Sequence, residues 1–105
     1  MAVRVAVDAL GGDHGAEEIV AGALAASSPE IQPILFGPSG LDTQGLPLVE
    51  TTQVVEMDDH PVKAVRGKPD SSLVRSVEAV AAGEADTVVS AGSTGAMLAA
   101  SLLHI

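Results

Sequence analysis

Three short stretches of this 105-residue chain bring together side chains able to do chemistry, and each follows an apolar run. The most suggestive is Ala91-Gly92-Ser93-Thr94-Gly95. Its small residues let a ligand come close to the backbone, and an apolar stretch with helical spacing follows. Free amides at a helix start, joined by the Ser93 and Thr94 hydroxyls, would hold a phosphate. The stretch has neither the lysine of a Walker loop nor the glycine spacing of a dinucleotide fingerprint. A helix cap with tight strand–helix packing accounts for the same residues. The second stretch sets Asp8, Asp13 and His14 around Gly11, Gly12 and Gly15. A carboxylate beside an imidazole would shuttle a proton near neutral pH, and a solvated turn fits the pattern as well. In the third, Asp70-Ser71-Ser72, hydroxyls would meet a substrate oxygen, with a helix N-cap as the simpler account. Met57 reads as a core residue.

Charge narrows the ligand classes. The formal net charge is −9, which argues against binding a nucleic-acid backbone. Its distribution is uneven: Lys63, Arg66, Lys68 and Arg75 lie within residues 60–75 against Asp70 alone, so this window carries +3 and the rest −12. Such an island is either a solvated helical face or a site for an anionic ligand or partner. The absence of cysteine removes disulfides, thiolate zinc sites and cysteine nucleophiles. No metal site and no cofactor are expected.

These stretches need a scaffold, and the apolar pattern supplies one. Hydrophobic residues make up 47% of the chain, but Phe36 is the only aromatic, so the core must be thin and built from Ala and Val. Val3 to Asp8 reads as a strand, Ala16 to Ser27 as a helix, and Ile31 to Phe36 as a second strand in which Pro33 suggests an edge position or a late start. Residues 41–52 are polar and turn-rich and read as a loop; Gln53 to Met57 reads as a third strand. Pro61 suits the start of a short helix over Val62 to Arg66. Asp70 or Ser71 caps a longer one, Ser72 to Ala82, ended by Gly83. Asp86 to Ser90 is a buried strand, and a last helix starts at Ala96 and still runs at Ile105. Alternating strands and helices predict a parallel, three-layer α/β sheet, whose ligands bind beyond the strands' carboxyl ends. All three chemistry-bearing stretches follow predicted strands. Arg4 breaks the apolar run Val3 to Val7, so no leader or membrane span is expected there, and the protein reads as cytoplasmic. The apolar end, with Met97, Leu98, Leu102, Leu103 and Ile105, predicts that residues 1–105 are the N-terminal part of a larger α/β domain.

Taken together, residues 7–15, 57–66, 68–72 and 90–96 closely resemble the N-terminal part of the bacterial phosphate acyltransferase (PlsX) family of phospholipid synthesis, across nearly the whole chain. The resemblance implies an acyltransferase that converts acyl-[acyl carrier protein] and inorganic phosphate into acyl phosphate, which a membrane glycerol-3-phosphate acyltransferase then uses. It implies an α/β/α sandwich related to isocitrate and isopropylmalate dehydrogenases, a homodimer when complete, and a cytoplasmic enzyme peripheral to the membrane at most. Carried over by residue, it makes Gly92, Ser93, Thr94 and Gly95 the phosphate cradle, with Ser71 and Ser72 as further substrate contacts. Lys63, Arg66 and Lys68 supply charge to phosphate or thioester oxygen, and Asp13 or His14 accepts a proton beside Asp8, Gly11 and Gly12. Acidic acyl carrier protein would dock on the basic island. Ser93 stands where the family often carries Asn, and Pro69 where it often carries a second basic residue. The 105 residues alone are expected to be inactive. Two other readings use the same loops: a phosphate-binding module without catalysis, and a relative of phosphate acetyltransferase or the dehydrogenases.

Overall fold

A computed structural model describes residues 2–10 and 15–105. Four strands form one parallel sheet in the order β3-β2-β1-β4: β1 is Val3–Asp8, β2 Ile31–Gly37, β3 Leu48–Glu50 and β4 Thr87–Val89. Four helices accompany them, α1 at Ala16–Ala26, α2 at Pro61–Gly67, α3 at Ser72–Ala81 and α4 at Thr94–His104. The register aligns Val3 to Asp8 with Ile31 to Phe36 on one side of β1, and Val5 to Val7 with Thr87 to Val89 on the other.

Strand residues alternate between two faces, and each face is buried by different helices. Val7 and Leu35 pack with Val20 and Ala23 of α1. Ala6 and Phe36 face the opposite way, against Ala79 of α3 and Ala85. On that side a further cluster joins the helices to one another, with Ala64 and Val65 of α2, Leu73, Val74 and Val77 of α3, and Ala96, Ala99 and Ala100 of α4. Alanine dominates where elements cross, the thin core that the composition requires. The architecture is an α/β sandwich with an all-parallel sheet.

Local chemistry explains the element ends. Ser71 caps α3, its Oγ accepting from the Val74 amide at 3.2 Å. At the other end Gly83, with φ +78°, donates to the Val80 carbonyl and Glu84 to that of Ala79. This paired arrangement needs a left-handed residue just past the helix, which glycine supplies without strain. Arg4 fixes the following connection: its guanidinium donates to the Gly83 carbonyl at 2.9 Å and to the Asp86 carboxylate at 3.3 Å.

Pro33 lies in an internal strand. The Leu35 amide donates to the Pro47 carbonyl on the β3 side, so the nitrogen of Pro33, two residues earlier, faces the same side. There β3 has not begun, because its pairing with β2 starts at Leu35. The missing donor costs no ladder bond.

Several expectations are corrected. The strand expected as buried over Asp86 to Ser90 is the shorter Thr87–Val89, largely exposed at the sheet edge. The third strand is Leu48–Glu50, inside the stretch read as a loop, and Gln53 to Met57 is not a strand. The amides of Thr52 and Gln53 go to the Asp70 carbonyl, and the Ser72 amide to that of Gln53, so this segment is tied to the α3 entry instead of the sheet. Val55 is buried in the helical cluster, whereas Met57 is 51% exposed and not a core residue. Along α4, which begins at Thr94 and not at Ala96, Leu98 and Leu102 are exposed. Among the described residues no helix is long and apolar enough to cross a membrane.

Candidate functional site

The sheet order places β1 beside β4, with α1 leaving toward one face and α4 toward the other. Diverging connections open a crevice at the carboxyl ends of such a strand pair. Asp8 ends β1 and Ser90 directly follows β4. Asp8 is 3% exposed, a burial that a carboxylate tolerates only if its oxygens are matched by donors. They are. Oδ1 accepts from the Ser72 hydroxyl at 2.5 Å and from the Leu10 amide at 3.1 Å, while Oδ2 accepts from the Ser90 hydroxyl at 2.8 Å. Ser72 is the first residue of α3, so the carboxylate also lies at the positive end of that helix. Ser90 Oγ in turn accepts from the Gly92 amide at 3.1 Å. One buried anion thus joins β1, β4, the start of α3 and the loop leading to α4.

That loop ends at Ser93, which caps α4 by accepting from the Ala96 amide at 3.2 Å and is 8% exposed. Thr94 is exposed. The amides of Thr94 and Gly95, the first two residues of α4, have no carbonyl one turn back within the helix. Gly95 has a packing role as well. A Cβ there would lie 2.7 Å from Cγ of Pro61, the first residue of α2, so the two helix starts touch. Helix-to-helix contact, more than strand-to-helix contact, uses this glycine.

The basic residues do not act as one patch. Lys68 Nζ donates to the Val54 carbonyl at 2.6 Å and to Asp59 Oδ2 at 2.7 Å, which fastens residues 54–59 to the end of α2. Its bond is the chief reason the Asp59 carboxyl is held below the usual aspartate value, followed by the Glu56 amide. Arg75 pairs with Asp70 at 2.5 Å. The bond from the Thr52 hydroxyl, then that from Arg75, lowers the Asp70 pKa. Lys63 and Arg66 are exposed and form no ion pair among the described residues. They lie apart along α2: Lys63 follows Pro61 by two residues, close to the α4 start, whereas Arg66 borders a surface cleft with Leu103 and His104 at the far end of α4. Ser71 and Ser72, both fully buried, spend their hydroxyls on the cap and on Asp8.

Gly11, Gly12, Asp13 and His14 lie outside the described residues. Ser90 is the site residue that the motif reading passed over. Its signal was positional, since it is the first polar residue after an apolar strand, as Asp8 is after Val3 to Val7.

A family model described as fatty acid synthesis protein matches residues 3–105. The chain belongs to this family. Among similar family members, a phosphate acyltransferase of Desulfitobacterium hafniense is 50% identical over 113 residues, which cover 98% of this chain and 34% of that protein. Phosphate acyltransferases of Leuconostoc mesenteroides and Lactococcus lactis are each 46% identical, covering 98% of this chain and 32% and 34% of theirs. The chain spans about a third of the length of the relatives it matches. The matching third contains both strands of the crevice and the three helix starts around it.

Proposed function

We propose that these residues form the phosphate-holding part of an enzyme that transfers an acyl group from acyl carrier protein to inorganic phosphate. The observation that carries this reading is the junction of β1 and β4, where Asp8 and Ser90 set the loop that opens α4. In the reaction an oxygen of hydrogen phosphate attacks the thioester carbonyl carbon and the carbon–sulfur bond breaks. The phosphate proton ends on the departing thiol, leaving acyl phosphate. Negative charge develops on the carbonyl oxygen beside an already anionic phosphate, so fixed donors and positive ends of dipoles supply most of the assistance.

The Thr94 and Gly95 amides and the Thr94 hydroxyl hold the phosphate, with Gly92 and Ser93 shaping the approach. Lys63 stands two residues after Pro61, which abuts Gly95 at that helix start, and supplies the positive charge there; Lys68 and Ser71 act by holding the frame, and Ser72 acts through Asp8. Asp13 or His14, between Leu10 and Gly15, accepts a proton in transit. Arg66 serves acyl carrier protein docking. The complete enzyme works as a homodimer in the cytoplasm and passes acyl phosphate to a membrane acyltransferase. The 105 residues alone are inactive.

The test is formation of acyl phosphate by the full gene product from acyl-[acyl carrier protein] and phosphate, trapped with hydroxylamine and followed by phosphorus NMR. Acyl phosphate that appears only with both substrates is the expected result. Phosphate binding at the Thr94 and Gly95 amides without any acyl transfer would make this a binding module instead.

A further inference from the structure

The helix α1 carries a glycine at position 22, in its middle, where glycine is the costliest ordinary helix former. Nothing in the backbone asks for it, since its φ is not in the left-handed region. Nothing in the packing asks for it either: a Cβ at Gly22 would meet no atom within 4 Å, in contrast to Gly95 and its Pro61 neighbour. What the missing side chain leaves is space.

That space is a cleft of about 310 Å³ between α1 and the β1–β4 half of the sheet. Val5, Val7 and Val89 form its floor and Ile19 and Gly22 its wall, and at one end it reaches Asp8, Ser90 and Ala91. Its volume is at the low end of the roughly 300–1,000 Å³ of small-molecule sites, and its lining is the usual one, apolar with a few polar groups at one place. Among the described residues Asp8 is the only charged one along it, and that carboxylate is already met by Ser72, Ser90 and Leu10. No unmatched charge lines the cleft among the described residues, so it suits an uncharged hydrocarbon. Val89 is 54% exposed on this floor.

We propose that this cleft holds the hydrocarbon tail of the acyl group, with the carbonyl end at Ser90 and Ala91. The inference rests on the acyl-transfer reading and deepens it by giving the acyl chain a place. The tail lies on the α1 face of the sheet, and its reactive end meets the loop that leads to the α4 amides. Gly22 then sets how much chain fits. Each methylene buried strengthens binding by about fourfold until the cleft is full.

The experiment uses the full gene product and two Gly22 variants, with sodium dodecanoate as probe against butyrate. Methyl NMR signals of Val5, Val7, Ile19 and Val89 are followed during titration, and turnover is measured with dodecanoyl and butyryl thioesters of acyl carrier protein. Dodecanoate is expected to shift these methyls, butyrate far less. Gly22→Leu grows into open space on a helix that it favours, so it should fold, lose dodecanoate binding by tenfold or more, and keep butyryl turnover. Gly22→Ala, which adds one methyl, should bind nearly as the parent does. Dodecanoate shifts elsewhere, or unaltered binding in Gly22→Leu, would overturn the cleft whatever the turnover shows. Contacts from these methyls to another protein segment or a second copy in the absence of probe would overturn it too. Absence of turnover with both donors would instead overturn the acyl-transfer reading, with the binding data still deciding the cleft.

Discussion

Replacing Asp8 by alanine removes the acceptor at which β1, β4 and α3 meet. Three donors lose their partner: the hydroxyls of Ser72 and Ser90 and the amide of Leu10. They are not equal. Ser90 and Leu10 are half-buried and can turn to water, whereas Ser72 is 2% exposed and cannot. Hydrogen bonds to charged groups contribute about 1.5–3 kcal/mol each, and a stranded buried donor costs about 1–3 kcal/mol. Against this stands the relief of no longer burying a carboxylate. The expected loss is about 2–4 kcal/mol, a large part of the roughly 5–15 kcal/mol that holds a domain together. Asp8→Asn keeps an acceptor for Ser72 but turns an amide toward Ser90, and should cost about 1–2 kcal/mol. Urea unfolding of the full gene product, read by far-UV circular dichroism, measures both. A cycle with Ser72→Ala isolates the pair, for which about 0.5–3 kcal/mol of coupling is expected. An Asp8→Ala protein within about 0.5 kcal/mol of the parent, the range of ordinary surface changes, would refute the reasoning, as would a strictly additive cycle.

Gly95→Ala should destabilise by about 1–2 kcal/mol, because overpacking against the rigid Pro61 ring outweighs the helix gain; a more stable variant in the same urea assay would overturn that packing role. Acid should weaken the fold through Asp59, Asp70 and Asp86, the last lowered chiefly by the Arg4 amide and then its side chain. Each has a folded pKa below its ordinary value near 3.8, so its contribution is complete above that value and is lost as pH falls through the lower folded one. Asp70→Asn should flatten this acid slope, and an unchanged slope in pH-dependent unfolding would refute it. Lys68→Met should lower stability by about 1 kcal/mol, since its two bonds are partly solvated, without changing KM for phosphate, whereas Lys63→Ala should raise that KM and leave stability alone. Steady-state kinetics beside melting curves would show the reverse pattern if Lys68 touched the substrate.

Most of the scaffold was legible because its apolar positions repeat. Val3 to Val7 and Ala16 to Ala26 announce a strand and a helix, and Ser71 and Gly83 bracket α3 by local chemistry alone. β3 was not legible: three residues hold too little alternation to stand out among turn formers, although Leu48 and Val49 do pack on opposite faces. Gln53 to Met57 looks like a strand because β-branched residues suit any half-buried surface, and here the surface for Val55 is a cluster of helices. The polar loops were legible as places and not as partnerships. Asp8 and Ser72 are 64 positions apart, and no local pattern joins them. The count of positive residues likewise could not reveal that Lys68 and Arg75 already answer Asp59 and Asp70.

Pro33 has a consequence for assembly. Below the first residue of β3, β2 has an open flank, and an open flank invites any extended segment to pair with it. Proline denies that segment an amide to bind, so the flank is closed to strand addition. β4 has no such guard, for Thr87, Val88 and Val89 contain neither proline nor charge, and its outer side is unpaired among the described residues. The sheet is therefore directional in its growth: a new strand is refused beside Pro33 and admitted beside β4, where its own carboxyl end would arrive next to Ser90.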